Sequence, residues 1–134
     1  MDLEKEIEEL IKKSLESRQF VDSVFFYLPL NTQIELKKIL FKNFDEYKCE
    51  INSHDIRHTN KNHSEDLKFI TKIPDIIENF SEIKKSFVED KKTKKPIYAI
   101  EFYKKYKDKT VKAVKIHLRK EKILRLKTLF IPKK

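Results

Sequence analysis

Apolar residues recur at helical spacing from the start of the chain. Leu3, Ile7, Leu10, Ile11 and Leu15 lie three or four apart with Glu and Lys between them, which predicts a helix over residues 2–17 capped by Asp2. The run Val24-Phe25-Phe26-Tyr27-Leu28, stopped by Pro29, reads as a short strand or a buried connector. Ile34, Leu36, Ile39 and Leu40 mark a second helix capped by Asn31 or Thr32, and residues 44–51 read as a turn and an extended segment. Pro74 in a first turn predicts a short helix through Ile76 and Ile77, and residues 83–88 predict an edge strand.

The pattern then changes from period 3.6 to period two. Tyr98, Ile100 and Phe102 alternate with Ala99, Glu101 and Tyr103. Val114, Ile116 and Leu118 alternate with Lys115 and His117, and Leu124, Leu126, Thr128 and Phe130 alternate with Arg125, Lys127 and Leu129. One apolar face per strand predicts an antiparallel meander half covered by helices. Placing Val114, Ile116 and Leu118 on the face of Leu124 and Leu126 requires an odd-length turn near Lys120, with Lys112 close to Thr128. The expected fold class is therefore α+β, with N-terminal helices packed on a C-terminal antiparallel sheet of three to four strands. At 134 residues the chain is expected to form a single domain, a helical lead-in over residues 1–45 and a core over 46–134. The polar face of the sheet is expected to carry Lys112, Lys115, His117, Arg125 and Lys127.

Composition narrows the chemistry. The chain contains no glycine, where average usage gives roughly nine. Glycine-dependent phosphate cradles and the nucleophile elbow of serine hydrolases are thereby excluded. One cysteine, Cys49, excludes an internal disulfide framework and fits a reducing compartment. No apolar run spans a membrane, and the Met-Asp-Leu-Glu-Lys-Glu start does not resemble a secretory signal, so a cytoplasmic location with no membrane partner is expected. The net charge of +9 is unevenly spread. Residues 1–90 hold 14 Lys/Arg against 19 Asp/Glu, whereas residues 91–134 hold 17 against 3. Solubility alone does not require that separation, and a polyanionic partner for the last third does.

Three of the four histidines fall within Ile51–His63. Asn52 or Ser53 can cap a short helix there, which puts His54 and His58 four apart on one face, with Arg57 and Lys61 as a second such pair. Imidazoles among cations suit acid–base work beside a polyanion. Cys49, His54, His58 and His63 are also zinc-ligand types, but a second cysteine pair and a His-Glu-x-x-His pattern are both missing, so no metal and no cofactor is expected.

Three segments, in order, resemble the phage-associated barnase–EndoU–colicin–RelE-like (BECR-fold) nucleases. INSHDIRHTNKNH (51–63) matches an I-x-x-x-x-I-R-H-x-x-K-x-H pattern, ITKIPDIIENFSEI (70–83) the segment that follows it, and ILRLKTLFIPK (123–133) the last strand, with its hydroxyl residue before an aromatic. The resemblance implies a small metal-independent RNase with RNA lying across the sheet. It implies that His58 acts as acid or base, that Lys61 and His63 hold the basic positions after it, that Arg57 precedes it, and that Thr128 is the final-strand hydroxyl. The family pattern has Gly after the second histidine, where this chain has Ser64.

The candidate catalytic residues are thus His58, His63, His117 and Thr128, the last equally placed to be a core hydroxyl. The candidate RNA contacts are Arg57, Lys61, Lys112, Lys115, Arg125 and Lys127, with Arg125 favoured because its fork fits two phosphate oxygens. Tyr98, Tyr103 and Tyr106 are candidates for base stacking. The expected partners are RNA, including tRNA or a ribonucleoprotein, and an immunity or host-defence protein. The expected setting is a toxin-like phage or prophage protein in a bacterial host. A non-catalytic RNA or ribonucleoprotein binder on the same fold, such as a phage-encoded inhibitor, is the alternative.

Overall fold

The computed structural model describes residues 3–89, 92–106, 109–118 and 121–130. The first helix, α1 (Leu3–Glu16), buries Ile7 and Leu10 as its spacing requires. Its stripe ends differently from the sequence expectation. Ser14 is buried, with its hydroxyl donating to Leu10 O at 2.6 Å, and Leu15 is exposed. Asp2, the expected cap, lies outside the described residues.

The segment read as a strand or connector is a strand, β1 (Ser23–Tyr27). Helix α2 (Leu30–Leu40) starts at Pro29, with no side-chain cap. Asn31 and Thr32, the expected caps, serve another helix: they donate to the carbonyls of Glu78 and Ile77, each at 2.6 Å. Those carbonyls belong to the last turn of α4 (Ile73–Glu78), where intrahelical partners run out. At its own C-terminus α2 is closed by Phe41 in the left-handed conformation, a place glycine usually takes and this chain has none to give.

Strand β2 (Lys48–Asn52) leads straight into α3 (Ser53–His63). Asn52 is the cap, its side chain accepting from Asp55 N at 2.9 Å. Ser53 Oγ instead accepts from Asp22 N, tying α3 to the start of β1. Ser64, where the family pattern has glycine, keeps right-handed helical dihedrals, so the chain does not turn away. It tightens into a 3₁₀ helix (Ser64–Lys72) and continues into α4, with Pro74 in the first turn as expected.

The four C-terminal strands, β3 (Glu82–Glu89), β4 (Pro96–Tyr106), β5 (Lys109–Leu118) and β6 (Ile123–Phe130), form the expected antiparallel meander. The sheet is larger than the meander. β2 pairs parallel to β6 and β1 pairs antiparallel to β2, giving six strands in the order β1-β2-β6-β5-β4-β3. The fold is α+β. The helices bury Ile56, Ile70, Ile73, Ile76 and Ile77 against Cys49, Ile51, Phe102, Ala113, Leu124 and Leu126 of the sheet.

Strand register departs from the parity expected between β5 and β6. Beside the turn, His117 pairs with Leu124 and Ile116 with Arg125, so the pairing is one residue off. The four-residue connection is even, not odd. A bulge between Val114 and Lys115 absorbs the difference, and beyond it Val114 pairs with Thr128 and Lys112 with Phe130. Thr128 therefore leaves the phase of Leu126 and joins that of Arg125.

Candidate active site

Cross-strand partners share a face, so the ladder sorts the sheet into two sides. Phe102 with Ala113, Ile100 with Leu126 through Lys115, and Cys49 with Leu124 define the side under the helices. The other side carries Ala99, Glu101 and Tyr103 from β4, Val114 from β5, Arg125 from β6 and Glu50 from β2.

Two polar assemblies stand on that second side. At one, Arg125 makes a two-pronged ion pair with Asp55 of α3, Nε to Oδ2 at 2.9 Å and Nη2 to Oδ1 at 3.4 Å. Asp55 is there because the Asn52 cap fixes the first turn of α3 against β6. Its carboxylate is 6% exposed and the arginine side chain 35%. The hydrogen bond to Asp55 raises the pKa of Arg125 further above its ordinary value, so it is a permanent cation. Glu50, directly opposite Arg125 in the ladder, accepts from Ser23 Oγ at 2.7 Å. Asp55 occupies the Nε–Nη2 edge of the guanidinium, and among the described residues no partner is bonded at its Nη1 end.

The other assembly is centred on Glu101, only 8% exposed and flanked on its face of β4 by Ala99 and Tyr103. Tyr103 donates its hydroxyl to Glu101 Oε1 at 3.0 Å, and Lys84 Nζ lies 5.3 Å from the Tyr103 ring centroid. Glu101 pairs with Val114, which pairs with Thr128, so the final-strand hydroxyl residue holds a place in the same cross-strand row. Lys112 pairs with Tyr103 in the next row. With neighbouring strands about 4.8 Å apart, β4 and β6 backbones are separated by roughly 10 Å, within joint reach of Glu and Arg side chains.

The histidine helix flanks this face. His54, His58 and Lys61 are exposed and share one stripe of α3, and His58 stands one turn beyond Asp55. Arg57 does not share it. Its guanidinium donates to Ser14 O at 2.9 Å, Ser17 O at 2.6 Å and Phe20 O, closing the C-terminus of α1. Lys115 and His117 occupy ladder positions on the helix-covered phase, beside Leu126 and Leu124, not on the polar face where the sequence pattern put them. The side chains of His63, Lys112, Lys115, His117, Lys127 and Thr128 lie outside the described residues. Cys49 is fully buried in β2 while His54 and His58 are exposed, so these three do not converge, and the described residues contain no cluster of three metal-ligand types.

Sequence reasoning missed Glu101 and Asp55. A signal for the first existed: Glu101 is one of three acidic residues in the last 44, on the polar phase of a strand. Asp55 was readable only as a helix-start carboxylate.

Topology and polar face together define a small α+β protein whose second sheet face carries buried and half-buried charges and is bordered by a histidine helix. The family model for the phage-Barnase-EndoU-ColicinE5/D-RelE like nuclease3 family matches residues 30–134, and the chain belongs to that family. No curated protein and no solved structure matches it. No helix among the described residues is long and apolar enough to cross a membrane.

Proposed function

We propose that this nuclease-family chain cleaves RNA by metal-independent general acid–base chemistry on the sheet face that carries Arg125 and Glu101. The observation that carries the reading is the placement of Arg125, oriented by Asp55, on the same face as the buried carboxylate of Glu101. Cleavage of RNA needs a base for the 2′-hydroxyl, an acid for the departing 5′-oxygen and a cation for the phosphate oxygens. Arg125 supplies the cation, with Lys61 and Lys112 beside the path of the strand. His58 from the flanking helix and Glu101 from β4 supply the proton-transfer groups, and Thr128 supplies a hydroxyl to the phosphate. RNA, including tRNA, is the substrate, in the cytoplasm of a bacterial host. Arg57 acts indirectly, through the placement of α3.

The experiment is cleavage of total RNA and tRNA, with and without EDTA, by the wild type, His58→Ala and Glu101→Gln. EDTA-resistant cleavage that falls by roughly 10²–10⁴-fold in each variant is the expected result. One observation favours a second reading: Asp55 already balances the charge of Arg125. On that reading the chain is a non-catalytic binder of RNA or of a ribonucleoprotein. RNA left intact by the wild type, together with a salt-sensitive gel shift, establishes the binder and ends the nuclease reading.

A further inference from the structure

The β3–β4 hairpin ends the sheet on the side away from β1. Among the described residues β3 is the edge strand, paired only with β4. On it Phe87 is 58% exposed, an unusual cost for a large aromatic ring on a free edge. Phe87 pairs directly with Tyr98, and the two ring centroids lie 5.0 Å apart with the planes tilted by 39°. Lys85 Nζ stands 5.1 Å from the Tyr98 ring centroid. The connecting turn, a few residues further out, presents Lys92, Lys94 and Lys95, all exposed. Lys84 lies over Tyr103 on the opposite side of the same hairpin, which links this edge to the Glu101 row.

An exposed phenylalanine ring against a half-buried tyrosine, with cations around them, matches the needs of an unpaired nucleotide. A base stacks on a ring whatever its identity, and the flanking phosphates meet lysines. A partner protein adding a strand to β3 would instead have to accommodate Lys84 and Lys85 along the edge. We propose that Phe87 and Tyr98 form a stacking platform for one or two bases of single-stranded RNA, with Lys85 and the lysines of the turn holding the adjoining phosphates. The platform lies outside the acid–base site and gives the chain its preference for unpaired over duplex RNA. Phe87, Tyr98 and Lys85 share the phase of Ile100 and Phe102, opposite Glu101, so a strand held there reaches the acid–base site by crossing the β3 edge past Lys84. The platform rests on the proposed function only in that this strand is the one that is cut.

The test uses a fluorescent 2′-O-methyl oligouridine of about 12 nucleotides, which cannot be cleaved because its 2′-oxygens are blocked. Anisotropy titrations compare the wild type with Phe87→Ala, Phe87→Trp and Lys85→Gln. Phe87→Ala is expected to weaken binding about tenfold with the salt dependence unchanged, and Phe87→Trp to restore it. Lys85→Gln is expected to lower the slope of log affinity against log salt by about 0.7, the value for one phosphate of a single strand. A duplex of the same length is expected to bind the wild type and Phe87→Ala equally. Equal affinity of wild type and Phe87→Ala for the single strand overturns the platform, as does a wild type that does not bind it. Loss on Phe87→Ala, alongside a wild type that leaves unmodified RNA intact, sustains the platform while removing the nuclease reading.

Discussion

Arg57 shows how one side chain changes role between sequence and structure. Its place beside His58 in a basic, histidine-rich segment made it a phosphate ligand by pattern. In the fold its guanidinium is spent on three carbonyls at the end of α1. They belong to the last turn of the helix and the turn after it, where intrahelical donors run out, and a charged donor satisfies such groups well even where, as at Ser17 O, Phe20 N also donates. Arg57→Ala is therefore expected to lower stability by about 2–3 kcal/mol, seen as a reduced urea midpoint with an unchanged m value. An unchanged midpoint would mean that α1 is held by its apolar stripe alone. Other residue-scale readings needed only local chemistry and were legible: Pro74 in a first turn, His54 and His58 on one stripe, and a cap at Asn52 or Ser53, which the structure resolves to Asn52. Asn31 and Thr32 were not, because the carbonyls they satisfy lie more than forty residues away. Glu101 was not, because its burial comes from strands on either side of it and not from its neighbours in sequence.

At the scale of elements, the join between α4 and β4 carries a pH dependence. Tyr106, near the end of β4, donates its hydroxyl to Asp75 Oδ2 of α4 at 2.5 Å. That bond, helped by Asn79, holds the Asp75 carboxyl below its ordinary value of 3.8. Burial and the same carboxylate push the Tyr106 hydroxyl above its ordinary value of 10.0. A lowered carboxyl pKa gives stability that is present above about pH 4 and lost as pH falls through the folded value. A raised phenol pKa gives stability that is present at neutral pH and lost as pH climbs past 10. Tyr106→Phe is expected to cost about 1 kcal/mol near pH 7, a charged hydrogen bond discounted for solvent access. The difference from wild type should shrink below pH 4 and above pH 10. A difference constant from pH 3 to pH 11 in urea denaturation would refute the linkage. The elements themselves were largely legible, since period 3.6 and period two are written in apolar spacing. The bulge at Val114/Lys115 was not, since nothing in Leu124–Phe130 marks where alternation slips. That one slip moved Thr128 to the face of Arg125, while the even four-residue turn before it placed Lys115 and His117 on the covered phase.

The whole molecule is less divisible than its sequence implies. The family match begins at residue 30, and the charge split runs from an acidic first part to a basic last third. In the fold these parts interleave. β2, from the acidic part, lies against β6, and β1 shields the free edge of β2 through five cross-strand pairs. α1 places Ile7 and Leu10 in the common core and supplies the carbonyls that Arg57 binds. Burial of those two side chains alone contributes roughly 3–6 kcal/mol, against a net stability of about 5–15 kcal/mol for an ordinary domain. Removing residues 1–29 takes that burial away, strips an edge from the sheet and leaves the Arg57 guanidinium beside acceptors that no longer exist. A chain of residues 30–134 is therefore expected to lose cooperative urea unfolding, although it contains the whole family match. Its RNA affinity should fall much less than its stability, because the cations of residues 91–134 remain and electrostatic attraction to a polyanion does not require a packed core. A cooperative transition in residues 30–134, with a midpoint near that of the full chain, would show instead that α1 and β1 are additions to a self-sufficient nuclease fold. The acidic face of α1 would then have to be explained by something other than support for α3 and its histidines.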